Sequence, residues 1–329
     1  MTRLSVIIPG YNTPEHWWRR CVESVIATGA EEIICVDDGS SVRPAFLSAY
    51  PVRVIYRERN GGLATARNTA LKVATGDFVT FVDSDDEVRP HTFRRCTEAL
   101  TESGADIAIY GVNVVWPDDG LQKTDTFDRA EVFERLEPKE ILDFYNRCLL
   151  NYSCNKVYRR SFLVAHNLSF NKNGMPCEDI IFNLHCIMAG AKVCTVPYVG
   201  YIYYRTRGTL LSCYKPTQAK GSRIASEVWR KYKDSVSGAR AVLGDLGETT
   251  ASQELLAEWR NMWMPGSPYS LKDRWKWLRQ HSELGGMTML FKTMFFLWLR
   301  RCFYWRCVRR WHTLRIYPRA FNWSVGDEK

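Results

Sequence analysis

Phe78-Val-Thr-Phe-Val-Asp-Ser-Asp-Asp-Glu87 joins an apolar run to a knot of carboxylates. Phe78 to Val82 has the length and the Phe/Val content of a buried strand. Asp83, Asp85, Asp86 and Glu87 cannot follow it into the interior unless something cationic meets them. The strand therefore ends at a site. If the chain stays extended through Asp83 and Asp85, their i, i+2 spacing turns both carboxylates to one side, where hard oxygen ligands suit Mg²⁺ or Mn²⁺. The plainer alternative is a solvated acidic turn.

Upstream, the same grammar repeats. Leu4 to Ile8 is a short continuous apolar run that suits a strand buried on both faces, and Pro9-Gly10 ends it. Thr13 can cap a helix with Pro14 at its first position; Cys21, Val22, Val25 and Ile26 then share a face and Gly29 closes it. Ile33 to Val36 is a second strand ending in carboxylates, Asp37 and Asp38, and Val52 to Tyr56 is a third. Gly61-Gly62 opens a helix from about Leu63 to Ala74, and Pro90 to Leu100 reads as another. Polar residues gather at the carboxyl ends of strands after Ile8, Val36 and Val82. That is the pattern of a three-layer α/β domain on a mostly parallel sheet, with ligands bound where the strands finish.

Downstream, Ile107 to Val115 reads as a strand pair or an extended stretch, Asp118 to Glu137 as a polar loop or insertion, and Pro138 to Leu150 as a helix. Ser161 suits the cap of a short helix through His166. Glu178 and Asp179 open an amphipathic helix, where the helix dipole alone favours acids. Val193 to Tyr204 reads as a strand, followed by Arg205 and Arg207. Residues 1–215 form the sheet domain, divided into a first half, 1–105, and a second, 106–215; residues 216–329 form a helical C-terminal region with a basic aromatic tail.

Length, at 329 residues, allows one large or two ordinary domains. The formal charge of +9 is local: Leu271 to Arg319 holds 12 Lys and Arg against 2 acids, and the other residues carry 33 basic against 34 acidic groups. A nucleic-acid-binding role argued from the global charge is therefore excluded. Eleven scattered cysteines without a CxxC pair point to reduced thiols rather than a disulfide framework or a zinc site. No run of about 18 uncharged apolar residues and no charged-then-apolar leader is seen, so a cytoplasmic protein is expected.

Taken together, Ser5-Val-Ile-Ile-Pro-Gly-Tyr-Asn12, Val36-Asp-Asp-Gly-Ser40, Asn60-Gly-Gly-Leu63, Ala66-Arg-Asn68, Phe81-Val-Asp-Ser-Asp-Asp86, Asn155-Lys-Val-Tyr158 and Glu178-Asp-Ile-Ile-Phe182 resemble a family 2 glycosyltransferase of the bacterial surface-polysaccharide type. The resemblance covers Leu4 to Arg207. It implies a GT-A fold, Rossmann-like, with helices flanking a mostly parallel sheet and a helical C-terminal extension. It also implies transfer of a sugar, with inversion, from a nucleoside-diphosphate sugar (UDP favoured) to a glycan or lipid-linked glycan acceptor. By the same resemblance Pro9, Tyr11 and Asn12 line the nucleoside pocket and Asp38 hydrogen-bonds the base. Asn60 and Arg67 close the nucleotide site, which Ser84 also joins. Asp85 contacts the metal and Asp83 lies nearer the ribose or a metal-bound water. Asp179 is the general base with Glu178 supporting it, and Arg205 and Arg207 face the diphosphate. Two positions depart from the family: Gly10, where a Val or small apolar residue is usual, and Ala27-Thr28-Gly29 in place of a Gln-Thr pair.

Residues 285–317 place apolar and aromatic residues first and arginines after. Such a tail suits an anionic membrane surface, at the inner face of the cell membrane, or else packs on protein with its arginines snorkelling; an oligomer interface stays open. Two alternatives carry weight besides sugar transfer. A haloacid-dehalogenase-type phosphohydrolase also has Asp-x-Asp after a strand, but expects Thr or Val where Glu87 stands. A non-catalytic basic adaptor for membrane or RNA leaves the carboxylate strand ends unexplained.

Overall fold

The computed structural model of the 329-residue chain describes residues 2–173, 177–206, 218–244, 246–247, 262 and 267–280. The chain divides into two compact units, one made of Met1–Thr209 with Lys220–Glu248 and the other of Leu210–Ala219 with Thr249–Lys329.

The first unit begins with β1 (Leu4–Gly10), α1 (Glu15–Ile26), β2 (Glu32–Asp37), β3 (Arg53–Tyr56), α2 (Leu63–Leu71) and β4 (Phe78–Phe81). It continues with β5 (Glu87–Val88), α3 (Thr92–Ser103), β6 (Ile107–Trp116), β7 (Leu121–Asp125), β8 (Val132–Phe133) and α4 (Pro138–Asn146). β9 (Lys156–Arg159), α5 (Arg160–Ala165), α6 (Glu178–Met188) and β10 (Val193–Tyr204) follow, then α7 (Gln218–Ser235) and α8 (Ala239–Leu243). In the second unit the described helix is α9 (Leu271–Gln280), opened by a capping box in which Ser270 and Asp273 exchange backbone-to-side-chain hydrogen bonds.

The strands form one sheet in the order β3-β2-β1-β4-β9-β6-β10-β5, with β7 on β6 and β8 on β10. β3, β2, β1 and β4 are mutually parallel, as are β6 and β10, but β9 lies antiparallel between β4 and β6. The sheet is thus mostly parallel, as expected, with β3, β2, β1, β4, β6 and β10 running one way and β9 set against them. β9 is inserted between strands remote from it in sequence, so no strand-helix-strand crossover dictates its direction.

β1 is buried along its whole length, and its side chains alternate between two cores. Ile7 joins Ile34, Val36, Val79 and Phe81 under α2 and α6, while Val6 and Ile8 join Ile33, Cys35 and Phe78 under α1 and α3. Each such aliphatic side chain stabilises the fold by about 1.5–3 kcal/mol on burial. The helices sit on both faces of the sheet, and the polar strand ends are left at one edge.

Local readings differ in three places. Thr13 does not cap α1; Pro14 holds the cap position, and the Thr13 hydroxyl lies 2.8 Å from Ser84 Oγ instead. The stretch 118–137 is not a plain loop, since β7 and β8 pair onto β6 and β10. Residues 107–116 form one strand, the extended stretch that stood beside a strand pair as a reading of 107–115. The boundary expected at 215 falls elsewhere: Trp229, Tyr232 and Leu243 of α7 and α8 are buried in the same core as α4 and α6, so 220–248 belongs with the sheet. The tail 285–317 lies outside the described residues. Among those described, no helix is long and apolar enough to cross a membrane.

Candidate functional site

The loops after β1 and β2 are stitched together by Asn12. Its backbone is left-handed (φ 49°), its N–H donates to Ser40 Oγ at 2.8 Å, and its side-chain oxygen accepts from the Ser41 N–H at 2.9 Å. Tyr11 beside it is half exposed and Pro9 is buried within β1. Gly39 (φ 76°) must be glycine: a Cβ there would stand 2.6 Å from the Arg59 carbonyl carbon. Gly10 is explained the same way, because a Cβ would reach 2.1 Å from the ring of Trp18, which is wholly buried. The tryptophan fills the room that a larger residue at position 10 would take.

The adjacent acids of this loop have opposite fates. Asp38 accepts from the Gly62 N–H at 2.8 Å, from the Gly61 N–H and from Arg57, so its carboxylate is fully engaged in holding the loop that starts α2. Asn60, exposed at the rim, accepts from the same Gly62 N–H at 3.0 Å. Asp37 is equally buried, takes one N–H from Ser40 at 3.3 Å, and leaves Oδ2 with no partner. Asp38 is where base recognition was expected; of the two acids it is Asp37 that keeps a buried oxygen without a partner.

After β4 the chain does not stay extended. The Asp86 N–H donates to the Asp83 carbonyl at 3.0 Å, closing a turn through Ser84 and Asp85. Asp83 and Asp85 therefore approach each other through a turn rather than along a strand. Three elements lock it. Tyr201 of β10 accepts from the Asp83 N–H at 3.1 Å and donates to Asp86 Oδ2 at 2.7 Å, and the Tyr204 N–H donates to Asp86 Oδ1 at 2.8 Å. Arg20 of α1 donates to the Asp85 carbonyl, pairs with Glu87 at 3.1 Å and lies 3.9 Å from the Tyr204 ring. Ser84 is buried against Thr13.

Arg67, on α2, is the junction. It is completely buried, donates to Asp83 Oδ1 at 2.7 Å and to Asp179 Oδ1, and stands 3.9 Å from Glu178. The ring of Phe170 lies 5.1 Å from its guanidinium. Burial alone would lower its pKa, but Asp179, Asp83 and Glu178 carry it above the ordinary value. Asp179 also accepts from Ser153 Oγ at 2.9 Å. The ends of β4 and the start of α6, far apart in sequence, thus meet at one guanidinium.

The carboxylates outnumber their cations. Burial, then the charge of Asp83, pushes Asp85 up to about 6. Burial, then Asp179, pushes Glu178 up to about 7, and its Oε2 is buried without a partner. Asp86 is raised well above its usual range by burial and by Asp85 and Asp83. Asp83, Glu178 and Asp179 share the guanidinium of Arg67 and Asp85 has Arg20 nearby, so acids are in excess, and carboxylate oxygens are the donors that suit a hard divalent cation. Among the described residues no group of three or more His, Cys, Asp or Glu side chains that could hold a metal ion is present. Of the two carboxylates Asp85 is the freer, because Asp83 is already engaged by Arg67.

Arg205 does not join this cluster. Its guanidinium lies between the rings of Tyr203 (5.4 Å) and Trp116 (5.9 Å). Arg207 lies outside the described residues. Arg20, Ser153, Tyr201 and Tyr204 were not singled out in the sequence, whereas Asp37 was read as a strand-end carboxylate beside Asp38. Ser153 alone had a signal, standing two residues before the Asn155-Lys-Val-Tyr motif.

Comparison with known proteins bears on this geometry. Residues 5–165 match the model of glycosyl transferase family 2. The chain is 34% identical over 229 residues to the putative glycosyltransferase EpsH of Bacillus subtilis (strain 168), covering 66% of this chain and 64% of that protein. It is 30% identical over 218 residues to the succinoglycan biosynthesis protein ExoO of Rhizobium meliloti (strain 1021), covering 63% and 62%. It thus spans a little under two thirds of the length of these curated relatives. The crystal structure of residues 1–349 of S. aureus TarS in complex with UDP-GlcNAc superposes with a TM-score of 0.60 at 18% identity, covering 84% of this chain and 79% of that one. That likeness shows the fold: a mixed α/β sheet with flanking helices.

Proposed function

The chain belongs to glycosyl transferase family 2, and from that premise we propose that it transfers a sugar from a nucleoside-diphosphate sugar, UDP-linked, to an acceptor hydroxyl with inversion, in the synthesis of a cell-surface glycan. The observation that carries the proposal is Arg67, which binds Asp83 and Asp179 with its two terminal nitrogens and so joins a diphosphate-side carboxylate to a candidate base. The names of its relatives, a succinoglycan biosynthesis protein and a neighbour crystallised with UDP-GlcNAc, support the glycan and the UDP donor.

In this reading Asp85, with Asp83 behind it, would hold Mg²⁺ or Mn²⁺, which supplies positive charge where the leaving diphosphate builds negative charge. Tyr11 and Pro9 line the nucleoside pocket, and Asp37, with its open Oδ2, takes over from Asp38 the reading of the base. Asp179 accepts the proton of the attacking hydroxyl on the opposite face of the sugar, and Glu178 stands behind it. A glycan or lipid-linked acceptor and a place at the inner face of the membrane complete the proposal, with the cationic tail as the contact. A phosphohydrolase with the same Asp-x-Asp loses to the family match, and a non-catalytic adaptor leaves the Arg67 cluster without a use.

A panel of UDP-, dTDP- and GDP-sugars, incubated with Mn²⁺ or with EDTA, tests the proposal through nucleotide release. A UDP-sugar hydrolysed slowly and only with the cation is the expected result. No release and no metal-dependent binding from any member would overturn it.

A further inference from the structure

The backbone between α4 and β9 is neither helix nor strand, yet its carbonyls are among the most heavily bonded in the molecule. Leu149 O accepts from Lys156 Nζ at 2.7 Å and from Asn155 Nδ2 at 3.1 Å. Leu150 O accepts from Asn183 Nδ2 at 2.7 Å, and Tyr152 O accepts from Asn183 at 3.0 Å and from Lys156. The third N–H of Lys156 goes to Asn155 Oδ1 at 2.8 Å. Asn155 reaches on to the Tyr110 carbonyl of β6, and Asn183 Oδ1 accepts from the Tyr158 hydroxyl at 2.8 Å. Asn155, Lys156, Tyr158 and Asn183 are all buried. Burial pushes the Lys156 amine down to about 7, while its three oxygen acceptors match the three N–H bonds that only the ammonium has.

A buried lysine and two buried asparagines are an expensive way to hold a loop; apolar packing would be cheaper. Cys148 is also forced into the left-handed region (φ 59°), which a non-glycine residue tolerates only when its surroundings impose it. What this loop delivers is Ser153, fully buried, whose hydroxyl donates to Asp179 Oδ1 at 2.9 Å. Asn183 stands one turn beyond Asp179 on α6, so the helix that carries the carboxylate also grips the loop that carries the serine.

We propose that Ser153, held by the Lys156–Asn155–Asn183 cage, is a positioning residue for Asp179: with Arg67 it fixes Oδ1 and leaves Oδ2 to face the acceptor hydroxyl. This rests on Asp179 being the general base. Among the described residues no hydrogen bond reaches Asp179 Oδ2, in keeping with that division.

The test uses the full chain, with UDP and Mn²⁺ as the binding probe and Mn²⁺-dependent hydrolysis of the fastest UDP-sugar in the panel as turnover. Ser153→Ala is expected to lower kcat about tenfold, the worth of one hydrogen bond to a charged group, with UDP affinity unchanged within twofold. Lys156→Met is expected to give the same signature through the loop, and Ser153→Ala added to Asp179→Asn is expected to cost nothing further. Wild-type kcat in Ser153→Ala, a loss that falls on UDP affinity instead, or an equal loss in the Asp179→Asn background would each overturn the positioning role. Near wild-type turnover in Asp179→Asn alone would remove the base assignment itself, and this inference with it.

Discussion

The two sides of the candidate site are built on opposite plans. On the side of β1, β2 and β4 the loops are tied by short backbone bonds and turns, and acids are left under strain: Asp37 Oδ2 is buried without a partner, and burial, then Asp83, raises Asp85 to about 6. On the side of β9 and α6 the groups that hold Asp179 are satisfied inside the protein, Ser153 on Asp179 and the loop carbonyls on Lys156, Asn155 and Asn183, while Glu178 Oε2 and Asn151 Oδ1 are buried without a partner. On the function proposed above, a region that receives a charged cargo keeps unneutralised charge, at a cost in stability. A region that must hold one carboxylate still fills its hydrogen bonds, because directed bonds fix angles that packing alone does not. Arg67 is the one group that belongs to both.

Removing it should therefore do the most damage. Arg67→Met leaves three carboxylates around an apolar chain, and breaking a buried charge network in this way costs about 3–5 kcal/mol. Urea unfolding at pH 8 should show that loss, together with absent nucleotide release. At pH 5.5 the loss should shrink, since Glu178, already at about 7 in the intact protein, then takes a proton. A variant less than 1 kcal/mol down at pH 8 would mean that the two sides are not joined through Arg67.

The next largest effect separates two neighbouring acids within the open side. Asp38→Ala removes a shared acceptor of the Gly61 and Gly62 N–H groups and of Arg57, and losing hydrogen bonds to a charged group at this partly buried site costs about 1–3 kcal/mol. Asp37→Asn should leave thermal stability unchanged or raised while weakening UDP more than ADP in calorimetry. The reverse assignment, stability lost at Asp37 and UDP preference lost at Asp38, would restore the expectation drawn from the sequence.

That contrast shows what a sequence makes legible. The alternation of β1, α1, β2, β3, α2 and β4 follows from short apolar runs and glycine or proline punctuation, and the acids at the ends of β2 and β4 mark the site because buried strands do not otherwise finish in carboxylates. Which acid stays open depends on partners 19 to 24 residues away, Arg57, Gly61 and Gly62, and no local pattern announces them. β9 was hidden for a related reason: four residues, Lys156–Arg159, beginning with a lysine, have no strand periodicity, and its buried ammonium is intelligible only once three oxygens surround it. Ser153 and Asn183 are common residues whose importance is entirely in their 26- and 33-residue reach to Asp179 and Leu150.

Gly10 sharpens the comparison at a smaller scale, because it shows the open side being shaped by packing as well as by charge. Gly10→Val would drive its side chain into Trp18 and Ser84, and overpacking of this kind costs about 1–3 kcal/mol. Combining it with Trp18→Leu, which clears the space, should recover a good part of that loss in thermal melts. If the double variant is merely the sum of the two singles, the tryptophan is not the reason that glycine stands there.

The smallest effect is the one that titrates the two sides separately. Asp85 and Glu178 both have folded pKa values above their ordinary ones, about 6 and about 7, because burial penalises the carboxylate. An acid raised by folding contributes stability below its unfolded pKa and loses that contribution as pH climbs through its folded value, so the protein without metal should lose stability between about pH 4 and pH 7. A cation held by Asp85 requires the ionised form, and its binding should weaken by up to about tenfold per pH unit below 6. Mn²⁺ should accordingly remove the part of the stability loss centred near 6, on the open side, and leave the part near 7, on the closed side. Melting temperatures measured from pH 4.5 to 8.5, with and without Mn²⁺, separate the two. If the cation erases both inflections, Glu178 senses the metal directly and the two sides are one electrostatic unit; if it erases neither, the carboxylates of the β4 turn do not bind it.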